Sequence, residues 1–130
     1  MFAVLGEAVD TLDIPPGPHA LTYLIAITDR LNARVSAAIG DLDASGDYGL
    51  DGSISAQAWL TLNGRHARPT AHALVSNARR LRTLPGVQTA WETGQISSDQ
   101  ARTIARMIAR TIDPGSPTPS TPPPDRKSVV

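Results

Sequence analysis

Hydrophobic residues recur along this 130-residue chain at steps of three and four. Phe2, Leu5, Val9 and Leu12 do so first and predict a short amphipathic helix over residues 2–12. Pro15, Pro16 and Pro18 end it, and Pro18 suits the first turn of a following helix, where its missing N–H is no loss. Leu21, Leu24, Ile25, Leu31, Val35, Ile39 and Leu42 then trace one stripe over residues 18–44. A helix of that length, roughly 40 Å, is stable only where its stripe meets other helices. Turn residues from Ser45 to Gly49 break the pattern.

A third helix is predicted over 55–62, with Ser55 as N-cap, Ile54 and Trp59 as a hydrophobic staple, and Gly64 closing it. Pro69 opens a fourth, with Ala71, Leu74, Val75, Ala78 and Leu81 on its inner face and His72, Ser76, Arg79 and Arg80 on its outer one. Val87, Ala90 and Trp91 make a short fifth helix ended by Gly94. Ser97 and Gln100 have capping-box spacing and start a sixth, whose apolar face is Ala101, Ile104, Ala105, Ile108 and Ile112. Arg102, Arg106 and Arg110 form a second stripe on it. Six of the twelve residues 113–124 are proline, which predicts an extended linker or tail.

The expected fold is therefore all-α: a single bundle of five or six helices including one long helix, over residues 1–112, with a disordered Pro-rich tail over 113–130. Composition agrees. Hydrophobic residues are 41% of the chain but aromatics only 4%, and an Ala-rich, aromatic-poor mixture favours helices over a β-sandwich or barrel. With no cysteine there is no disulfide framework and no thiolate metal site. The first 20 residues carry no Lys or Arg and no long apolar run, so neither a signal peptide nor a membrane span is expected, and the expected location is cytoplasmic.

Net charge is zero but unevenly laid out. Residues 1–51 carry eight acids and two arginines, whereas residues 52–91 carry five arginines (Arg65, Arg68, Arg79, Arg80, Arg82) and no acid. The basic stretch either faces the acidic half of its own chain or attracts phosphate from outside.

The chain from Asp51 onward resembles a known family. Asp51-Gly52, Ser55, Trp59-Leu60, Ala71, Leu81, Pro85, Ala90, Gly94, Ile96-Ser97, Gln100-Ala101 and Ile104 fall in the order and spacing of the domain-of-unknown-function family 222, the thirteen-E-twelve repeat family. The resemblance covers roughly residues 20–112. It implies a helical domain from a GC-rich bacterium, of a kind often followed by a C-terminal HNH endonuclease domain. One departure is Arg68-Pro69, where the family often has Ser with a nearby acid; a side-chain cap is lost and positive charge gained. Asp125 to Val130 resembles the translation of a sequencing adapter, which would make this chain a fragment of a longer protein that lacks its HNH nuclease domain.

No catalytic residue, metal site or cofactor is expected. An HNH site needs a His base, an orienting Asn and metal ligands, but His19, His66 and His72 form no such cluster, and His66 and His72 stand six apart across a proline. Asp41, Asp43, Asp47 and Asp51 lack the closing Glu of a calcium loop. Ser97 reads as a cap, and Trp59 and Trp91 as core. Two helix pairs, 55–62 with 69–84 and 87–93 with 97–112, have loose helix–turn–helix form. In the first, Arg65, Arg68 and His72 cluster at the start of the second helix, and Arg79 and Arg80 follow. These five residues are the candidate contacts to double-stranded DNA. The expected function is a non-catalytic DNA-binding or DNA-positioning module. The alternative is a protein–protein or self-association module, a homodimer through the 18–44 helix.

Overall fold

The computed structural model describes residues 1–112. The expected tail, 113–130, lies outside the described residues. Within them the regular structure is all helical: α1 (Phe2–Asp10), α2 (Pro18–Ser45), a 3₁₀ turn (Asp47–Asp51), α3 (Ala56–Asn63), α4 (Arg68–Leu81), α5 (Pro85–Glu92) and α6 (Ser98–Ile112). No helix among the described residues is long and apolar enough to cross a membrane.

Local chemistry sets the boundaries. Ser55 caps α3, its hydroxyl accepting from the Ala58 N–H at 3.0 Å. Ser97 and Gln100 close a reciprocal box at the start of α6, through Gln100 N to Ser97 Oγ at 3.1 Å and Ser97 N to Gln100 Oε1 at 2.9 Å. A Schellman motif ends α5: Gly94 takes φ +83°, its N–H reaches the Trp91 carbonyl, and the Gln95 N–H reaches the Ala90 carbonyl.

Helix α4 packs against α2, α3, α5 and α6 and so runs through the middle of the bundle. Its inner face is as expected, with Ala71, Val75, Ala78 and Leu81 all buried. One core cluster joins Val75, Ala71 and Ala78 to Ile39, Ala56 and Leu60, and a second joins Leu81 to Ala33, Trp91, Ala101 and Ala105. Trp91 is 2% exposed, and its indole N–H is satisfied by Ser98 Oγ at 3.2 Å.

Three expectations about packing are corrected. First, the leucine-rich stripe of α2 does not enter the bundle. Leu21, Ile25, Leu31 and Val35 stay exposed, and of that stripe only Ile39 is buried. The bundle meets α2 on Ala33, Ser36 and Gly40 instead, because small side chains let the backbones approach. A Cβ on Gly40 would lie 3.2 Å from Arg82 Cδ and 3.5 Å from the Ala78 carbonyl. Second, α1 packs against no other helix, and Phe2, Leu5 and Val9 are exposed. Third, the Ile54–Trp59 staple is absent: Ile54 is 90% exposed, and Trp59 is only half-buried. The Trp59 indole N–H donates to Asp51 Oδ2 at 2.9 Å, so the ring spans the 3₁₀ turn and the edge of the first core cluster.

Candidate nucleic-acid interface

The turn between α3 and α4 carries the first candidate. Gly64 follows α3 with an ordinary φ of −87°, and Arg65 takes the left-handed φ of +57°. Gly64 is required for room instead: a Cβ there would lie 2.5 Å from His66 Nδ1 and 2.8 Å from the Leu60 carbonyl. A non-glycine residue in this region is strained by roughly 1–2 kcal/mol, and the exposed Arg65 side chain is held in that turn.

Arg68 is the first residue of α4, and Ala67 before it supplies no side-chain cap. The N–H groups of this first turn face no protein acceptor from a cap, which makes the helix end electropositive. Arg68 and His72 are exposed and line a cleft of about 560 Å³ together with Gln57, Thr61 and Leu62 of α3. His72 also lines a second cleft, about 630 Å³, between α4 and α6. Its α4 wall adds Ser76 and Asn77, and its α6 wall is Asp99, Arg102, Thr103 and Arg106. Arg102 lies 3.9 Å from Asp99, a long and largely solvated pair, and Arg106 donates to Thr103 Oγ1 at 3.3 Å. Among the described residues no carboxylate comes within 4.0 Å of Arg65, Arg68, Arg80 or Arg106.

Arg79 is differently placed. Its Nε donates to Asp43 Oδ2 at 2.9 Å and its Nη2 to Asp43 Oδ1 at 2.8 Å, a bidentate pair between α4 and the end of α2. The Asp43 side chain is 16% exposed and that of Arg79 61%. The Arg79 hydrogen bonds outweigh the effect of burial and hold the Asp43 carboxyl below the usual carboxylate range; Arg79 is raised in turn, chiefly by its hydrogen bond to Asp43. Arg82 donates to the Gly40 carbonyl at 3.0 Å and to Asp41 Oδ1 at 3.1 Å. So two of the five arginines in the basic stretch face the acidic half of the chain. Arg80 is half-buried on α4.

The structure therefore brings Arg68 and His72 together on one cleft at the start of α4, leaves Arg65 in the turn before it, and ties Arg79 to Asp43. It also adds Arg102 and Arg106, which the sequence presents only as a separate stripe. Their four-residue spacing was visible, but not that α6 lies against the exposed flank of α4. Among the described residues no group of three or more His, Asp or Glu side chains is placed to hold a metal ion. The chain matches no family model, no curated protein and no solved structure.

Proposed function

We propose that this chain is a non-catalytic helical module that binds the backbone of double-stranded DNA, with Arg65, Arg68, His72, Arg102 and Arg106 as its contacts. The reading rests on one observation above the others. The uncapped start of α4 carries Arg68, with Arg65 in the turn just before it, and it opens through His72 into a cleft whose far wall holds Arg102 and Arg106. Helix N-termini and arginine side chains both favour phosphate oxygens. Phosphate contact by arginines and a helix end carries no sequence information, so the proposed binding is mainly electrostatic and sequence-independent.

In keeping with the family that the sequence resembles, we propose a cytoplasmic bacterial protein in which this module holds DNA for a joined HNH nuclease domain. Cutting would belong to that domain. Duplex binding by the full chain across a salt series tests the reading: four arginine contacts give a log–log slope of about −3.6. Loss of one unit of slope in Arg68→Ala and in Arg106→Ala is expected, and binding that ignores salt would contradict it.

A further inference from the structure

His72 stands where the two clefts meet. It lines the cleft between α3 and α4, and it also lines the cleft between α4 and α6. Helical spacing puts it there. Arg68 and His72 are four residues apart on α4 and so share one face of the helix. That flank is turned away from the core, which takes Ala71 and Val75, and His72 is exposed on it. The other two histidines are elsewhere. His66 lies in the turn before α4 with its Nδ1 3.4 Å from the Leu60 carbonyl, and His19 is in the first turn of α2.

The charged groups that share a cleft with His72 are few among the described residues. Helix α3 supplies none, α4 supplies Arg68, and α6 supplies Asp99, Arg102 and Arg106. Three guanidinium groups stand against one carboxylate, and Asp99 is 98% exposed and 3.9 Å from Arg102. The surroundings of the ring are thus net positive, and an anion held in either cleft lies beside it.

We infer, on the DNA-binding reading above, that His72 makes the grip on phosphate pH-dependent: the protonated ring is a fifth cationic contact beside the four arginines, and the neutral ring is not. Imidazole is the side chain whose ordinary titration falls between about pH 5 and 8. Its neutral form has one N–H donor, whereas its protonated form has two and a full charge. Phosphate favours the charged form, so duplex binding draws a proton onto His72. The coupling is reciprocal, and the proton favours the duplex by the same factor. Affinity therefore rises as pH falls and levels off once the free chain holds the same proton. Arginine stays charged throughout that range, so the remaining contacts keep their strength.

Fluorescence anisotropy of a labelled duplex with the full chain, as salt series at about pH 8 and about pH 5.5 on either side of the imidazole titration, reads both affinity and contact number. The expected log–log slope is about −3.6 at the higher pH and about −4.5 at the lower, one further contact of about 0.9. At fixed salt the affinity is expected to be about three- to tenfold higher at the lower pH, inside the limit of about tenfold per pH unit that one linked proton sets. His72→Gln is expected to remove the pH dependence, giving one slope at both pH values. Salt-sensitive binding with equal affinity and slope at the two pH values overturns the inference and leaves the DNA reading standing, as does a pH dependence that survives His72→Gln. Absence of duplex binding at both pH values overturns the inference and the DNA reading together.

Discussion

Arg79 and Asp43 meet across 36 residues of sequence in a two-pronged ion pair, with both N–H···O distances below 3.0 Å. The pair joins the acidic half of the chain to the basic half and fixes the end of α2 against α4. It also occupies the Nε and Nη2 donors of Arg79, so Arg79 is left out of the proposed DNA contacts. Arg79→Ala leaves a largely buried carboxylate without its partner, and a loss of about 1–2 kcal/mol is expected. Urea unfolding of Arg79→Ala, Asp43→Ala and the double variant checks it: the double variant should lose clearly less than the sum of the two. Strict additivity would show that the pair contributes nothing. The salt slope of duplex binding should be unchanged in Arg79→Ala.

Acid should weaken the fold through the same pair. The Asp43 carboxyl is held below the ordinary carboxylate range by its hydrogen bonds from Arg79. Its contribution is therefore complete above the unfolded-state value and is lost as pH falls through the lower folded-state value. Urea midpoints measured from about pH 6 down to about pH 2 should fall below about pH 4, and Asp43→Asn should flatten that part of the profile. An equally steep fall in Asp43→Asn would assign the acid sensitivity to other carboxylates.

The two tryptophans should differ in their effect on stability. Trp91 is fully packed in the second core cluster, and Trp91→Ala should cost about 3–5 kcal/mol. Trp59 is half-buried, so Trp59→Ala should cost less, about 1–3 kcal/mol. Ser98→Ala is a sharper probe of the same region. The buried Ser98 hydroxyl accepts from Trp91 Nε1 at 3.2 Å and lies 3.4 Å from Asn32 Nδ2, and its backbone N–H donates to Asp29 Oδ1 at 3.1 Å. Removing the hydroxyl leaves the indole N–H buried and unpaired, at about 1–3 kcal/mol. Thermal melts of the three variants order them, and a Trp59 variant less stable than the Trp91 variant would contradict this packing.

These contrasts show which features the sequence made legible. Caps and turns at Ser55, Pro69, Gly94 and the Ser97–Gln100 box were legible because their chemistry is local, within about one helical turn. The inner face of α4 was legible because one apolar stripe stood against one polar face. Helix α2 was not, because it has two faces. Its leucines mark the more hydrophobic side, but the side with Ala33, Ser36 and Gly40 permits the closer approach and is the one the bundle uses. Hydrophobicity ranks side chains and does not measure how near two backbones can come. The partner of Arg79 was equally hidden, since charge balance showed an acidic and a basic half but not which residues would meet.

Arg65 separates stability from binding at the candidate site. Its φ of +57° suits glycine, so Arg65→Gly should keep or raise stability, within about 1 kcal/mol. The same change should weaken duplex binding and flatten its salt slope by about one unit. A stable variant with undiminished binding would remove Arg65 from the interface.

Salt dependence of duplex binding is the most direct test of the DNA-binding reading. Fluorescence anisotropy of a labelled duplex with the full chain, from about 20 to 200 mM salt, gives log K against log salt. Contacts from Arg65, Arg68, Arg102 and Arg106 predict a slope near −3.6, falling to about −1.8 in the double variant Arg68→Ala with Arg106→Ala. That variant should remain folded, since exposed substitutions usually change stability by less than about 0.5 kcal/mol. Absence of binding at the lowest salt, or a slope unmoved by the double variant, would contradict the account.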